Sequence, residues 1–204
     1  TDQRKLYKEF GVNAEYLIDH SWGKESCTIA DIKAYKPKTN SISNSQVLFE
    51  DYSFEKARLV LKEMVELGSL RLIENNLVTD SVGLYIGYSK DIIKATGGTK
   101  RINNTTNVYS ELLRAFLEIY DKTTDRNIAI RRIGVNFSNV IETENVQLNL
   151  FTDQEKIDKE RKLQLTMSGI KNKMGKNTII RGMDLEEGAT TIARNRMVGG
   201  HNAS

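Results

Sequence analysis

Residues Asp80 to Tyr88, DSVGLYIGY, alternate with a period of two. Val82, Leu84, Ile86 and Tyr88 point one way, and Ser81, Gly83, Tyr85 and Gly87 point the other. That period belongs to an extended strand. One side is rich enough in large apolar groups to need a cover, while the other is almost bare. The strand therefore sits in a sheet covered on one face, and two glycines on the open face let a ligand backbone come close.

The rest of the chain supplies the partners. Ser41 to Phe49 has strand character in its second half, with Val47 and Phe49 in phase. Ser53 caps a helix running to about Leu67, with Phe54, Ala57, Val60, Leu61, Met64 and Val65 as one apolar stripe and Gly68 as its stop. Gly97-Gly98 reads as a turn, and Thr99 to Thr106 as a polar strand. Asn107 is placed to cap a helix to about Lys122, with Leu112, Ala115, Phe116 and Ile119 inward. A last strand starts at Ile128. Its apolar phase slips midway, from Ile128 and Ile130 to Ile133, Val135 and Phe137. A one-residue slip at Arg131-Arg132 predicts a bulge that keeps both arginines off the core. The order strand, helix, strand, strand, helix, strand is an α+β class, a four-stranded split βαβ sheet with two helices on one face.

Around this core lie shorter pieces. Residues 1–24 hold two short helical segments, with Gly11 as a C-terminal cap of the first and Asn13 as the cap of the second. They are too small to bury a core and read as a remnant of another domain. Residues 25–40, with Pro37, the only proline, read as a linker. Residues 138–146 read as a polar connector. Thr152-Asp153-Gln154-Glu155 has the form of a capping box, opening a charged helix to about Met174 with Ile157, Met167, Ile170 and Met174 as sparse apolar positions. This tail, residues 152–204, reads as helical in part, and its few apolar positions point to an accessory protein as its cover.

Chemistry follows from placement of charge. The whole chain carries only +3, so a nucleic-acid footprint must come from local clustering. Between Lys90 and Asn136 nine basic residues stand against five acidic ones, an excess larger than that of the whole chain. Lys100, Arg101, Arg131 and Arg132 fall on strands, with Thr99, Thr105 and Thr106 interleaved. That set suits phosphate contact without sequence readout. Tyr85 is the only aromatic on the open face, which argues against a single-strand stacking platform. A second element is Gln147-Leu148-Asn149-Leu150-Phe151. Its apolar side chains are too few for a core element and lie between Glu142, Glu144 and Asp153, so they read as a docking peptide or as a last edge strand.

Other classes are excluded. His20, His201 and the lone Cys27 have no metal-ligand spacing, no phosphate loop of the required form is present, and no disulfide can form within the chain. Asp121 and Asp125 read as solvated surface rather than a nuclease pair. No apolar run reaches the ~20 residues of a bilayer span. The single cysteine fits a reducing, cytoplasmic compartment.

Taken together, these segments resemble the Y-family, UmuC-like lesion-bypass DNA polymerases of Gram-positive type. FGVNAEYLIDHSWG is similar to the end of the thumb, and AYKPKTNSISNSQVL to the linker entering the little finger. YIGYSKD, KRINNTTN and IAIRRIGVNFSNV are similar to little finger strands, and IKNKMGKNTIIRG and ARNRMVGGHNA to the tail. QLNLF resembles the bacterial sliding-clamp motif closely. The resemblance implies an end of thumb over residues 1–24, a linker over 25–40, a DNA-binding little finger over 41–146, a clamp peptide over 147–151 and a tail over 152–204. It implies that Lys38, Ser41, Ser43, Thr99, Lys100, Arg101, Thr105, Arg131 and Arg132 meet primer-template duplex. It also implies that Gln147, Leu148, Leu150 and Phe151 enter a pocket on the sliding clamp. It implies a role in translesion synthesis, DNA repair and the SOS response. The palm carboxylates of the family have no counterpart here, so Mg²⁺ is expected only with a palm domain and this chain alone is not expected to polymerise. The competing expectation is a clamp-interaction or regulatory module that does not bind DNA.

Overall fold

The computed structural model describes residues 2–35, 40–89, 93–143, 154–198 and 201–202. Residues 1–39 and 40–204 form two units. In the first, α1 (Gln3–Phe10) is followed by α2 (Asn13–Ser21) and α3 (Ile29–Ala34). Gly11 ends α1 with φ of 56°, and its amide donates to the Tyr7 carbonyl. Asn13 does not cap α2: Val12 stands at that position with no side-chain bond, and Asn13 is already helical. The stretch predicted as a linker contains α3. Thr28 and Asp31 form a reciprocal capping box there, each side chain accepting from the other's backbone amide.

The second unit is built on the sheet. Its elements are β1 (Ile42–Tyr52), α4 (Phe54–Glu74), β2 (Leu77–Tyr88), β3 (Thr96–Thr106), α5 (Tyr109–Thr123), β4 (Ile130–Ser138), β5 (Ile141–Glu142), α6 (Gln154–Met174) and α7 (Thr191–Arg194). Met197–Val198 and His201–Asn202 pair as a small ribbon. Strands run in the order β1-β4-β2-β3, all neighbours antiparallel, with β5 extending the start of β2. Each strand–helix–strand unit is thus split by a strand from the other, as the element order predicted. Both helices cover one face, and the core between them is continuous from Leu48 and Phe54 to Phe116, Ile133 and Phe137.

The phase slip in the last strand is a bulge. Ile130 pairs with Tyr88 and Arg132 with Gly87, so Arg131 is the extra residue, while Ile130 and Ile133 on either side are both fully buried. Gly68 does not stop α4; it lies inside the helix, one turn and a half before its end. A β-carbon there would sit 2.2 Å from the Phe137 ring, which is itself buried, so the glycine marks the closest approach of helix to sheet. Gly97-Gly98 is not a turn either. Both residues lie in β3, and Gly97, at φ 125°, packs so close to β2 that a β-carbon would meet the Leu84 carbonyl oxygen at 2.0 Å. The connector predicted over 138–146 contains β5 and the buried Val140.

Residues 154–198 pack onto the outer side of α4 through polar groups. Glu63 accepts from the Thr190 amide at 3.0 and 2.9 Å, from the Thr190 hydroxyl at 2.9 Å and from the Thr191 amide at 2.9 Å. Gln46 of β1 donates to the Thr190 hydroxyl at 2.9 Å. Glu66 faces Arg181 at 3.1 Å, Gln164 donates to Ser69 at 2.7 Å, and Ser168 bonds Glu74. Gln164 is fully buried, and Met167 and Ser168 beside it are buried as well. Asn107 does not cap α5. Its amide donates to the Leu77 carbonyl and its oxygen accepts from Arg161. The free amides at the start of α5 are met instead by α6: Tyr109 by Gln164 at 3.3 Å and Ser110 by Glu160 at 2.9 Å.

Candidate nucleic-acid interface

The uncovered sheet face is a grid set by register. One row runs Ser43, Asn136, Gly83, Thr99, and the next runs Ser45, Gly134, Tyr85, Gly97. A third holds Val47, Arg132 and Gly87, and the far corner holds Ser138, Ser81 and Arg101. These side chains are small or polar, so the face forms a shallow trough of about 550 Å³ with Arg132 on its lining. Tyr85 stands in the middle. Its ring lies across Gly87, where a β-carbon would be 3.3 Å from the ring and 3.2 Å from the Arg132 β-carbon, and its base rests against Gly134. Gly87 and Gly134 are thus bare because Tyr85 needs the room. Gly83, whose β-carbon would meet only ordinary contacts at 3.5 Å, is itself buried between Asn136 and Thr99, so a ligand on this row meets those side chains first.

The predicted DNA contacts do not all fall on this face. Arg132 is exposed on it and has no carboxylate partner among the described residues. Arg101 is on it too, tied to Asp80 at 3.0 Å with its own side chain largely in solvent. Arg131, at the bulge, is half-buried and stands 3.9 Å from Asp51. Thr99 and Ser43 lie in one row, and Ser41 precedes β1. Thr105 is half-buried beyond a register shift in β3, away from the paired rows. Lys100 points the other way: it pairs in register with the core residue Val82 and bonds Glu118 of α5, so the candidate face is drawn without it. Lys38 lies outside the described residues, as do Gln147, Leu148, Leu150 and Phe151.

Several residues of the face are not among the predicted contacts, Ser45, Asn136 and Val47 among them. Ser45 and Asn136 sit in the central rows, and Val47 is half-exposed on the third row. Their signal was the alternation of β1, whose inward members are Gln46 and Leu48. Val47 and Phe49 are in phase, as predicted, but on the open side. Gln46 was unreadable as an inward residue because its partner, Thr190, lies in the far part of the chain. Asp121 accepts from Nε and Nη2 of Arg58, each at 3.1 Å, and Asp125 accepts from the Asn127 amide at 2.8 Å. Among the described residues no group of three or more His, Cys, Asp or Glu is placed to hold a metal, and no helix is long and apolar enough to cross a membrane.

Comparison with known proteins decides the family. Residues 39–150, more than half of the chain and all four strands of the main sheet, match the impB/mucB/samB family C-terminal domain. The chain belongs to the impB/mucB/samB family. Within it, the chain is similar to UvrX of Bacillus subtilis (strain 168), named for UV-damage repair, with 32% identity over 97% of this chain and 47% of that protein. It is similar to DNA polymerase IV 2 of the same organism, with 28% identity over 96% of this chain and 47% of that protein. The chain spans about half the length of these relatives. Among solved structures, the little finger domain of PolIV in complex with the beta-clamp processivity factor aligns with 55% of this chain and 99% of that domain, at 13% identity and a TM-score of 0.40. The impB/mucB/samB assignment agrees with the Y-family, UmuC-like kinship expected from the sequence. The grid of small and polar side chains lies within the matched residues.

Proposed function

We propose that this chain holds primer-template duplex by its phosphate backbone for a translesion DNA polymerase and docks that polymerase on a sliding clamp. The observation that carries the first half is the open face itself. It is a trough of serine, threonine, asparagine and glycine around Tyr85, with Arg132 on its lining, Arg101 at its far corner and Arg131 at the adjoining bulge. Short donors and glycine let a backbone approach closely, guanidinium groups neutralise phosphate, and the scarcity of base-reading side chains fits binding without sequence preference. Chemistry on nucleotides would belong to the polymerase as a whole, where Mg²⁺ held by a palm domain would supply charge stabilisation for phosphoryl transfer.

Salt dependence tests this reading. Three cations on phosphates give a slope of roughly −3 in log K against log salt, at about −0.9 per phosphate, for any duplex sequence. A flat response contradicts it and favours the regulatory module without DNA.

Clamp docking rests on Gln147-Leu148-Asn149-Leu150-Phe151 and on its acidic, polar flanks. A peptide this short binds weakly alone, and tethering to the same duplex raises its effective concentration. The chain is expected to bind a bacterial sliding clamp, and a Leu150→Ala/Phe151→Ala double variant to lose that binding with duplex affinity unchanged. Equal clamp binding by both proteins removes the pentapeptide from the account.

A further inference from the structure

A second concavity lies on the opposite side of β1, in a cleft of about 430 Å³ between that strand, α4 and residues 171–195. Its floor is apolar: Met64, Gly68 and Phe137 line it, and Leu67 remains 57% exposed beside them. Charge in the cleft is layered. Glu63 and Glu66 are buried at its base and already engaged, Glu63 hydrogen-bonded by the Thr190 and Thr191 groups and Glu66 ion-paired with Arg181 at 3.1 Å. Lys171 stands 4.0 Å from the same Glu66 oxygen, so one carboxylate serves two cations. Arg71 on α4, Lys176 in the turn after α6 and Arg194 on α7 line the cleft, and none has a carboxylate partner among the described residues. Arg71 and Lys176 are fully exposed. Glu74, which accepts from Ser168, is the one exposed carboxylate on the lining, so what faces solvent is an excess of positive charge around an exposed leucine.

We infer that this cleft docks a short acidic segment of a second protein, one large apolar side chain resting on Leu67 and flanking carboxylates meeting Arg71, Lys176 and Arg194. Charge complementarity selects the occupant. Guanidinium groups on two sides favour planar carboxylates, and an apolar floor of this size takes a few side chains, not a folded domain. The cleft is an unsuitable second DNA site. It lies on the helix side of β1, where Asn44 and Gln46 point, while Ser43 and Ser45 point to the trough on the other side. The inference stands independently of duplex binding.

The test is fluorescence anisotropy of the intact chain with a labelled peptide, Glu-Asp-Leu-Phe-Asp-Glu, capped at both ends. Saturable binding below about 1 mM is expected. An Arg71→Glu/Arg194→Glu variant should bind about tenfold more weakly or worse, with its duplex affinity and unfolding midpoint unchanged. Lys176→Glu, at an exposed site after α6, supplies the same reading as a smaller loss if the double variant does not fold. A peptide with lysine at every acidic position should not bind. No saturation in that range, equal affinity for the charge-reversed variants, or displacement of the peptide by a short DNA duplex would each overturn the inference.

Discussion

Arg132 and Lys100 separate what a basic residue on a strand can do. Both lie in the cluster of positive charge legible in the sequence, but the parity of the strand sends them to opposite faces. Arg132 shares a row with Val47 and Gly87 on the open side, and Lys100 pairs with Glu118 on the helix side. Arg132→Ala should flatten the salt dependence of duplex binding by about one unit. Lys100→Ala should leave that slope unchanged and cost no more than ~1 kcal/mol, as for an exposed ion pair. Two equal slopes in the variants would remove Arg132 from the site. At Gly68 the effect is on stability. Gly68→Ala places a methyl group against the buried Phe137 ring, and overpacking of this kind costs ~1–3 kcal/mol despite the better helix propensity of alanine. Thermal unfolding measures it, and a rise in the midpoint would show that the ring can move aside.

At the scale of elements, the strands and the two covering helices were legible because local periodicity encodes them. The bulge at Arg131 was legible for the same reason: Ile130 and Ile133 cannot both face inward without an extra residue between them. The packing of α6 and α7 was not. Glu63, Glu66 and Ser69 look like the solvated side of α4, and their partners Thr190, Arg181 and Gln164 are about a hundred residues away or more. Gly68 and Gly97 misled for a related reason, since each answers to a neighbour in space, Phe137 or Leu84, and not to a break in the chain. Glu63→Ala leaves the buried Thr190 amide and the partly buried Thr191 amide without acceptors, a loss of ~2 kcal/mol or more. Proteolysis should then cut first within residues 175–198, and an unchanged cleavage pattern would show that α7 is held by other contacts. The same interface carries a pH signature. Burial raises the Tyr109 phenol to about 12, with the Arg181 guanidinium over its ring opposing the shift. The unfolded chain ionises near 10, so stability is intact below pH 10 and falls as pH rises from there to about 12. Ultraviolet titration of the wild type against Tyr109→Phe should show one late-ionising phenol missing, and identical curves would contradict the burial.

For the molecule as a whole, the sheet places the two proposed binding surfaces back to back. One face is the trough proposed for a nucleic-acid backbone; the other carries α4, α5 and the α6–α7 layer, with the basic cleft at its margin. β1 belongs to both, presenting Ser43 and Ser45 outward and Gln46 toward Thr190. The face was legible in the sequence through the bare side of Asp80–Tyr88. The residues that crowd Tyr85 onto Gly87 and Gly134 were not, because they come together only across three strands. On the proposed function, duplex lies on this face and nowhere else. Amide chemical-shift mapping of the full chain during titration with a short duplex at low salt tests it most directly. The account predicts shifts concentrated at Ser43, Ser45, Gly83, Tyr85, Thr99 and Arg132, with α4 and α6 quiet. Shifts centred on α4, α6 or the Arg71–Arg194 cleft, with the trough unperturbed, would contradict it.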